Sequence, residues 1–208
     1  MSYRVNIEDI FEGKAFMRPL FYNYEGGLRF ELSQGGSYLN QFTTAHRRAM
    51  EVCRFIFSNS ENIVVCVKVF GGKTALSILP CLRSLKTIGL NPGNEREYWT
   101  EFDDEWINDE DYLSSLWHYI AFPLPIEKLA DVLWCALASD FGSIEPRVNA
   151  SFYLFDMDMH VMAWPYDDRG MDVVGPNTDL LSGVYYEFNS YLLDHDRAIM
   201  DAVFAKKP

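Results

Sequence analysis

Basic side chains are scarce in this sequence, and long apolar runs are absent. Only 18 lysines and arginines stand against 30 aspartates and glutamates, so the formal net charge is −12 over 208 residues. A chain of this charge repels phosphate backbones and gains nothing from counterion release, so we expect no nucleic-acid partner. The longest apolar runs, such as residues 63–67, fall far short of the roughly 20 residues that a spanning helix needs. We therefore expect no membrane segment.

Signals for export and for disulfide chemistry are also missing. Residues 1–10 mix Arg4, Glu8 and Asp9 with apolar residues and lack the regions of a signal peptide, which predicts a cytoplasmic protein. No CxxC pair is present to hold a metal ion or to run redox exchange. Because the cytosolic thiol pool keeps cysteines reduced, we expect four buried free thiols, Cys53, Cys66, Cys81 and Cys135.

The composition is that of a folded globular chain. Hydrophobic residues make up 49% and charged residues 23%, which argues against disorder and coiled coil. At this length, and with no linker or repeat, we expect one domain over residues 1–208. The predicted strands cluster in hairpins rather than alternating regularly with helices. This pattern favours the α+β class, with a mainly antiparallel sheet and packed helices.

Local patterns predict the individual elements. Glycines between two apolar runs, 20–24 and 28–32, predict a β-hairpin. A valine-rich run at 62–70 predicts a buried strand in a central position of the sheet. Alternating runs separated by turn residues predict further strands at 116–124, 151–155, 160–166 and 171–174. Helical periodicity predicts helices near 7–11 and at 41–58, 74–87, 126–139, 178–193 and 196–204, with Pro80 interrupting the third.

The acidic side chains are concentrated in one stretch, residues 95–111. Nine acids and one base, Arg96, lie within these 17 residues. Charge runs of this kind are usually solvated loops. Aromatic residues are interleaved with the acids here, so either they anchor the segment to the core or they face a partner. On the second hypothesis, the residues that bind the partner are Glu97, Trp99, Glu101, Asp103, Asp104, Glu105, Trp106, Asp109, Glu110 and Asp111.

No catalytic or metal-binding motif is recognisable. The four histidines are dispersed, no serine lies in a GxSxG elbow, and no cysteine has an activating motif. The stretch 156–160 contains Asp156, Asp158 and His160, but aspartate enrichment is typical of a tight turn. Residues 71–74 lack the first glycine of a phosphate-binding loop. We expect no catalytic residue, no metal and no other cofactor.

A second candidate site is a polar cluster that follows the predicted strand 160–166. It would serve an orphan enzyme or a small-molecule-binding domain. The same residues also make a good turn, in which the arginine pairs with a neighbouring aspartate. This alternative comprises Tyr166, Asp167, Asp168, Arg169 and Asp172.

The C-terminal part, residues 164–205, carries the signature YDDRGMDVV at 166–174 and Tyr191-Leu192-Leu193-Asp194. These residues resemble a bacterial family, domain-of-unknown-function family 3885. The segments Phe21-Tyr22-Asn23 and 27–32 are similar to upstream parts of its members. The resemblance implies no activity, cofactor or site residues.

Small, acidic, cytosolic α+β proteins of this kind often resemble immunity proteins, which neutralise a cognate toxin. An acidic surface steers a cationic partner and competes with nucleic acid, while aromatics supply contact area. We therefore expect a cytoplasmic binding protein whose partner is a cognate toxin, commonly a basic nuclease. The oligomeric state is left open at this point.

Overall fold

A computed structural model describes residues 2–102 and 115–205 and places the valine-rich run in the middle of a sheet. This strand, β2, pairs on one side with β4 and on the other with β5. Seven strands are described, all pairs are antiparallel, and the order is β1-β7-β6-β5-β2-β4-β3. The strands are β1 (Leu28–Glu31), β2 (Asn62–Gly72), β3 (Glu97–Glu101), β4 (Ser115–Pro125), β5 (Ser151–Asp156), β6 (Val161–Asp167) and β7 (Gly170–Val174).

Six α-helices lie within the described ranges, and their starts follow from their sequences. Ser37 caps α2 by accepting a hydrogen bond from the Asn40 backbone N–H, and Asn177 caps α5 in the same way through Leu180. Pro80 lies in the first turn of α3, where no backbone donor is required. The helices are α1 (Tyr3–Ile10), α2 (Tyr38–Ile56), α3 (Leu79–Thr87), α4 (Leu129–Leu137), α5 (Thr178–Glu187) and α6 (Arg197–Phe204).

The two faces of the sheet are covered unequally. On one face, a large apolar cluster joins the strands to α2, α3, α4, α5 and α6. On the other face, a smaller and more aromatic cluster joins Tyr119 and Tyr153 to α1 and to the chain that follows it, including Phe11 and Leu20. The thinner cover on this second face leaves polar and aromatic side chains of the sheet near solvent.

The α+β class, the antiparallel sheet and the central position of β2 are confirmed. The meander of β5, β6 and β7 is also as predicted. The hairpin of 20–24 with 28–32 is wrong. Phe21–Asn23 forms a short 3-10 turn, and β1 pairs instead with β7, Leu28 opposite Val173. Strand β3 was not predicted, because its acidic residues are typical of a loop.

Each helix near 178–193 and 126–139 is shorter than predicted, and flanking 3-10 turns occupy the remainder. None of the described helices is both long enough and apolar enough to cross a membrane.

All four cysteines are buried and free, as predicted. Burial raises the pKa of Cys81 to about 11 and that of Cys135 to about 12. It raises the pKa of Cys53 and of Cys66 further still. Because the thiolate is the reactive form, we expect no thiol of the native protein to react with a disulfide reagent within minutes. Cys81, the most exposed of the four at 9%, should react first.

The same reagent applied to denatured, unreduced protein should titrate four thiols. A smaller number would mean that a disulfide forms, against the assignment of free cysteines.

Candidate functional site

The acidic segment begins on a strand that is fixed to the core. Strand β3 pairs with β4 and ends the strand order, so it is an edge strand of the described sheet. Trp99 points to the α1 face of the sheet, is 7% exposed and stacks on Tyr119 with the rings 5.0 Å apart and nearly parallel. Of the two roles open to this tryptophan, the structure supports the core anchor.

Glu97 and Glu101 flank Trp99 on the same face of β3 and bind the start of the chain. Glu97 accepts hydrogen bonds from the Ser2 hydroxyl at 2.7 Å and from the Arg4 backbone N–H at 3.1 Å. Glu101 accepts one from the Arg4 guanidinium and one from the Trp99 indole N–H, each at 3.2 Å. These two carboxylates therefore hold α1 against the sheet.

The opposite face of β3 contributes a buried histidine network. His118 Nε2 lies 2.7 Å from the Gly72 carbonyl oxygen, which only accepts, so Nε2 carries the proton. Nδ1 then accepts the hydrogen bond from the Tyr98 hydroxyl at 2.7 Å. Ser77 Oγ is 3.3 Å from Nε2, but a protonated nitrogen cannot remove its proton. The network positions Tyr98 and β3, and it does not form a nucleophile–base pair.

The other seven residues of the acidic site hypothesis lie outside the described residues. They are Asp103, Asp104, Glu105, Trp106, Asp109, Glu110 and Asp111. The exposed side chains that lead into this part of the chain are aromatic: Tyr98 is 41% exposed and Phe102 is 68% exposed.

The residues of the second candidate cluster, the polar cluster at 166–172, make separate contacts. Asp167 closes the turn between β6 and β7, because its carboxylate accepts the backbone N–H of Arg169 at 2.8 Å and of Gly170 at 3.1 Å. It also pairs with the Arg169 guanidinium, which is largely exposed. Asp168 lies on another side of the turn and accepts the Ser33 hydroxyl at 3.1 Å, and burial raises its pKa. Tyr166 and Asp167 line one cleft, whereas Asp168 lines a different one.

Asp172 belongs to a buried ion cluster that links distant parts of the chain. Its side chain is fully buried and receives two hydrogen bonds from Arg29, at 2.8 and 3.0 Å, and one from the Phe21 backbone N–H at 3.0 Å. Arg29 also reaches Asp196 at 3.2 Å, and the Tyr22 hydroxyl donates to Asp196 at 2.7 Å. The guanidinium lies 4.9 Å from the centre of the Phe21 ring.

The pKa shifts in this cluster have opposing causes. Burial raises the pKa of Asp172, and the hydrogen bonds and charge of Arg29 offset part of that rise. Burial alone would lower the pKa of Arg29, but the bidentate pairing with Asp172 outweighs it and raises the value. The sequence offered no pairing signal here, since Arg29 and Asp172 are 143 residues apart.

The turn at 156–160 is explained by its own backbone. Asp156 Oδ1 accepts the N–H groups of Asp158 at 3.0 Å and of Met159 at 2.8 Å, and Ser60 donates to the same carboxylate. Within residues 2–102 and 115–205, no group of three histidine, cysteine, aspartate or glutamate side chains is arranged to hold a metal ion.

Sequence reasoning missed a cleft with a volume of about 650 Å³. It lies on the thinly covered face of the sheet, where β2, β4, β5 and β6 meet the loop that follows α1. Two aromatic pairs line it, Phe70 with Trp117 and Trp164 with Tyr166. Arg18, Arg29 and Lys68 bring positive charge, whereas Asp140 and Asp167 bring negative charge.

These observations define a single α+β domain in which helices cover both faces of an antiparallel sheet. The family described as Domain of unknown function (DUF3885) matches residues 4–196, which include β1 to β7, and the chain belongs to that family. The resemblance carried by the YDDRGMDVV signature is thereby confirmed. No curated protein and no solved structure gives a significant match.

Proposed function

We propose that this chain is a cytoplasmic binding protein that recognises a basic protein through its acidic segment, in the manner of an immunity protein that neutralises a nuclease-type toxin. The observation that carries the proposal is the position of β3 at an edge of the sheet, locked there by Trp99. An edge strand offers unpaired backbone groups to a partner. The chain continues directly from that edge into residues 103–111, which contain no basic residue.

Charge and exposure support the same role. Residues 95–111 hold nine acids and one base, which gives −8 of the formal −12. Such a density attracts a cationic partner over several ångströms and raises its association rate. Tyr98 and Phe102 lie within the segment and are exposed, and aromatic side chains often dominate binding energy at interfaces.

The enzyme alternative gains less support from the geometry. Asp172 is occupied by Arg29, Asp167 by the turn and by Arg169, and Asp168 by Ser33. These side chains do not converge on one point where a substrate would react. Their contacts stabilise the junction of β6 and β7, which is a sufficient reason for the signature.

The test compares two charge-matched triple variants in binding to the protein encoded by the adjacent upstream gene. One carries Asp103→Asn, Asp104→Asn and Glu105→Gln, and Glu101 is left intact because it holds α1. The other carries Glu61→Gln, Glu127→Gln and Glu187→Gln, three exposed acids elsewhere on the chain. The acidic-segment variant should associate about tenfold more slowly at low salt, with a flatter salt dependence.

The control variant should associate like the wild type and melt within a few degrees of it, because its three changes are at exposed positions and each costs within about 0.5 kcal/mol. Equal association rates for the two variants would show that the segment is only a solvated loop. If the upstream protein neither binds nor is inhibited, the immunity role is wrong.

A further inference from the structure

The cleft on the thin face of the sheet has the shape of a small-molecule site. Its volume of about 650 Å³ lies within the range of ligand pockets, roughly 300–1,000 Å³. The two aromatic pairs line it together with two small residues, Ala150 and Ser151, where the chain enters β5. A trough lined by aromatic and small side chains accommodates a flat ring.

Positive charge lies along this trough. The Arg18 guanidinium is 4.9 Å from the centre of the Trp164 ring and donates to the Ser151 hydroxyl at 3.0 Å. The Lys68 ammonium is only slightly exposed and lies 4.5 Å from the centre of the Trp117 ring. The rim carboxylate of Asp167 is paired with Arg169, and Arg29 is held by Asp172 and Asp196. Arg18 is therefore the exposed cation of the cleft that a ligand can meet most directly.

Two hydrogen-bond donors at this place have no acceptor. The Trp164 indole N–H and the Tyr153 hydroxyl are both buried, and neither donates to an acceptor among the described residues. The two rings stack at 5.5 Å, next to Arg18. Burial raises the pKa of Tyr153 to about 12, although the nearby charge of Arg18 lowers it, so the hydroxyl keeps its proton at neutral pH. Buried donors without acceptors are rare in folded proteins, and Trp164 lines the cleft, so an oxygen atom of a bound ligand there would satisfy its N–H.

We propose that this cleft binds a small planar aromatic anion, with its ring against the aromatic side chains of the cleft and its anionic group held by Arg18 near Trp164. The ring packs against the aromatic side chains that line the cleft, and the anion pairs with Arg18 and supplies the acceptor that the Trp164 indole N–H lacks. This proposal does not depend on the proposed function.

The experiment is calorimetric titration of the wild-type protein with four probes. Adenosine monophosphate and indole-3-acetate each carry a ring and an anionic group. The group is a phosphate in the first and a carboxylate in the second, so the pair shows which of the two the cleft prefers. Adenosine carries the ring alone, and inorganic phosphate carries the charge alone. At least one ring anion should bind at least tenfold more tightly than adenosine and inorganic phosphate. The proposal is overturned if neither ring anion binds at millimolar concentration, or if adenosine or phosphate binds equally well.

Variants then locate the site. Arg18→Gln should weaken the binding of that ring anion at least tenfold, because it removes the charge but leaves the fold intact at an exposed position. Phe70→Ala, at a side chain that is 38% exposed, should weaken it through the lost wall. The matched control is Arg83→Gln, an exposed arginine of α3 on the other side of the sheet, which should bind like the wild type. Unchanged affinity in Arg18→Gln, or an equal loss in Arg83→Gln, would overturn the assignment.

Discussion

Replacing Arg29 with methionine should lower the free energy of unfolding by about 3–5 kcal/mol, the usual cost of removing one partner of a buried ion pair. Arg29 satisfies Asp172, which is fully buried, and Asp196, which is 2% exposed. Methionine keeps much of the stem volume but leaves both carboxylates without their cation. Urea denaturation at pH 7 measures the loss. The control is Arg47→Met. It breaks the exposed ion pair between Arg47 and Glu51, which lie one turn apart on α2, and it should cost less than about 0.5 kcal/mol.

The pH dependence of the Arg29→Met variant gives this prediction a second readout. Burial already raises the pKa of Asp172 above its unfolded value, and the loss of Arg29 removes the main opposing influence. The folded variant therefore binds a proton more tightly than the unfolded chain does. Its free energy of unfolding should rise as the pH falls from 7 toward the unfolded value near 4, and it should rise more than that of the wild type.

Asp172→Asn in the Arg29→Met background should likewise restore part of the stability at pH 7, because it removes a buried charge. If the single variant loses little stability and its pH dependence equals that of the wild type, the cluster does not stabilise the fold.

Replacing Trp99 with alanine should lower stability by about 3–5 kcal/mol, as large buried aromatics do when truncated. The indole is buried, stacks on Tyr119 and receives the Arg4 guanidinium 5.9 Å from its centre. For a domain of this size we expect the melting temperature to fall by about 10 °C. Phe102→Ala is the control from the same segment, since its ring is 68% exposed and its removal should change stability within about 0.5 kcal/mol.

The two variants also separate the roles of the aromatics. An unchanged melting temperature for Trp99→Ala, with weakened partner binding, would mean that Trp99 faces a partner and not the core.

Local chemistry made much of the fold predictable. The meander of β5, β6 and β7 follows from alternating apolar residues and from aspartates that accept backbone N–H groups in both turns, Asp156 in one and Asp167 in the other. Helix α2 follows from its apolar stripe, and Ser37 caps its first turn. These features depend on residues that are neighbours in the sequence, so one sequence is enough to predict them.

The predictions that were wrong or missing concern contacts between residues far apart in the sequence. The runs 20–24 and 28–32 have hairpin chemistry, but β1 finds a better partner in β7, and Phe21 donates its backbone N–H to Asp172 instead of to a strand. Strand β3 is acidic because its carboxylates serve α1, a role that composition does not reveal. The cleft brings Arg18 beside Ser151, 133 residues away. No periodicity in the sequence indicates a contact between residues so far apart.

Arg29 and its partner Asp172 are synthesised at different times. The 143 residues between them take about 7–30 s to translate at about 5–20 residues per second. During that interval β1 has neither its strand partner β7 nor the counter-charges of Arg29, so the N-terminal part of the chain emerges with an unpaired strand and no complete sheet. Residues 28–31 therefore have no strand partner until β7, residues 170–174, has been synthesised.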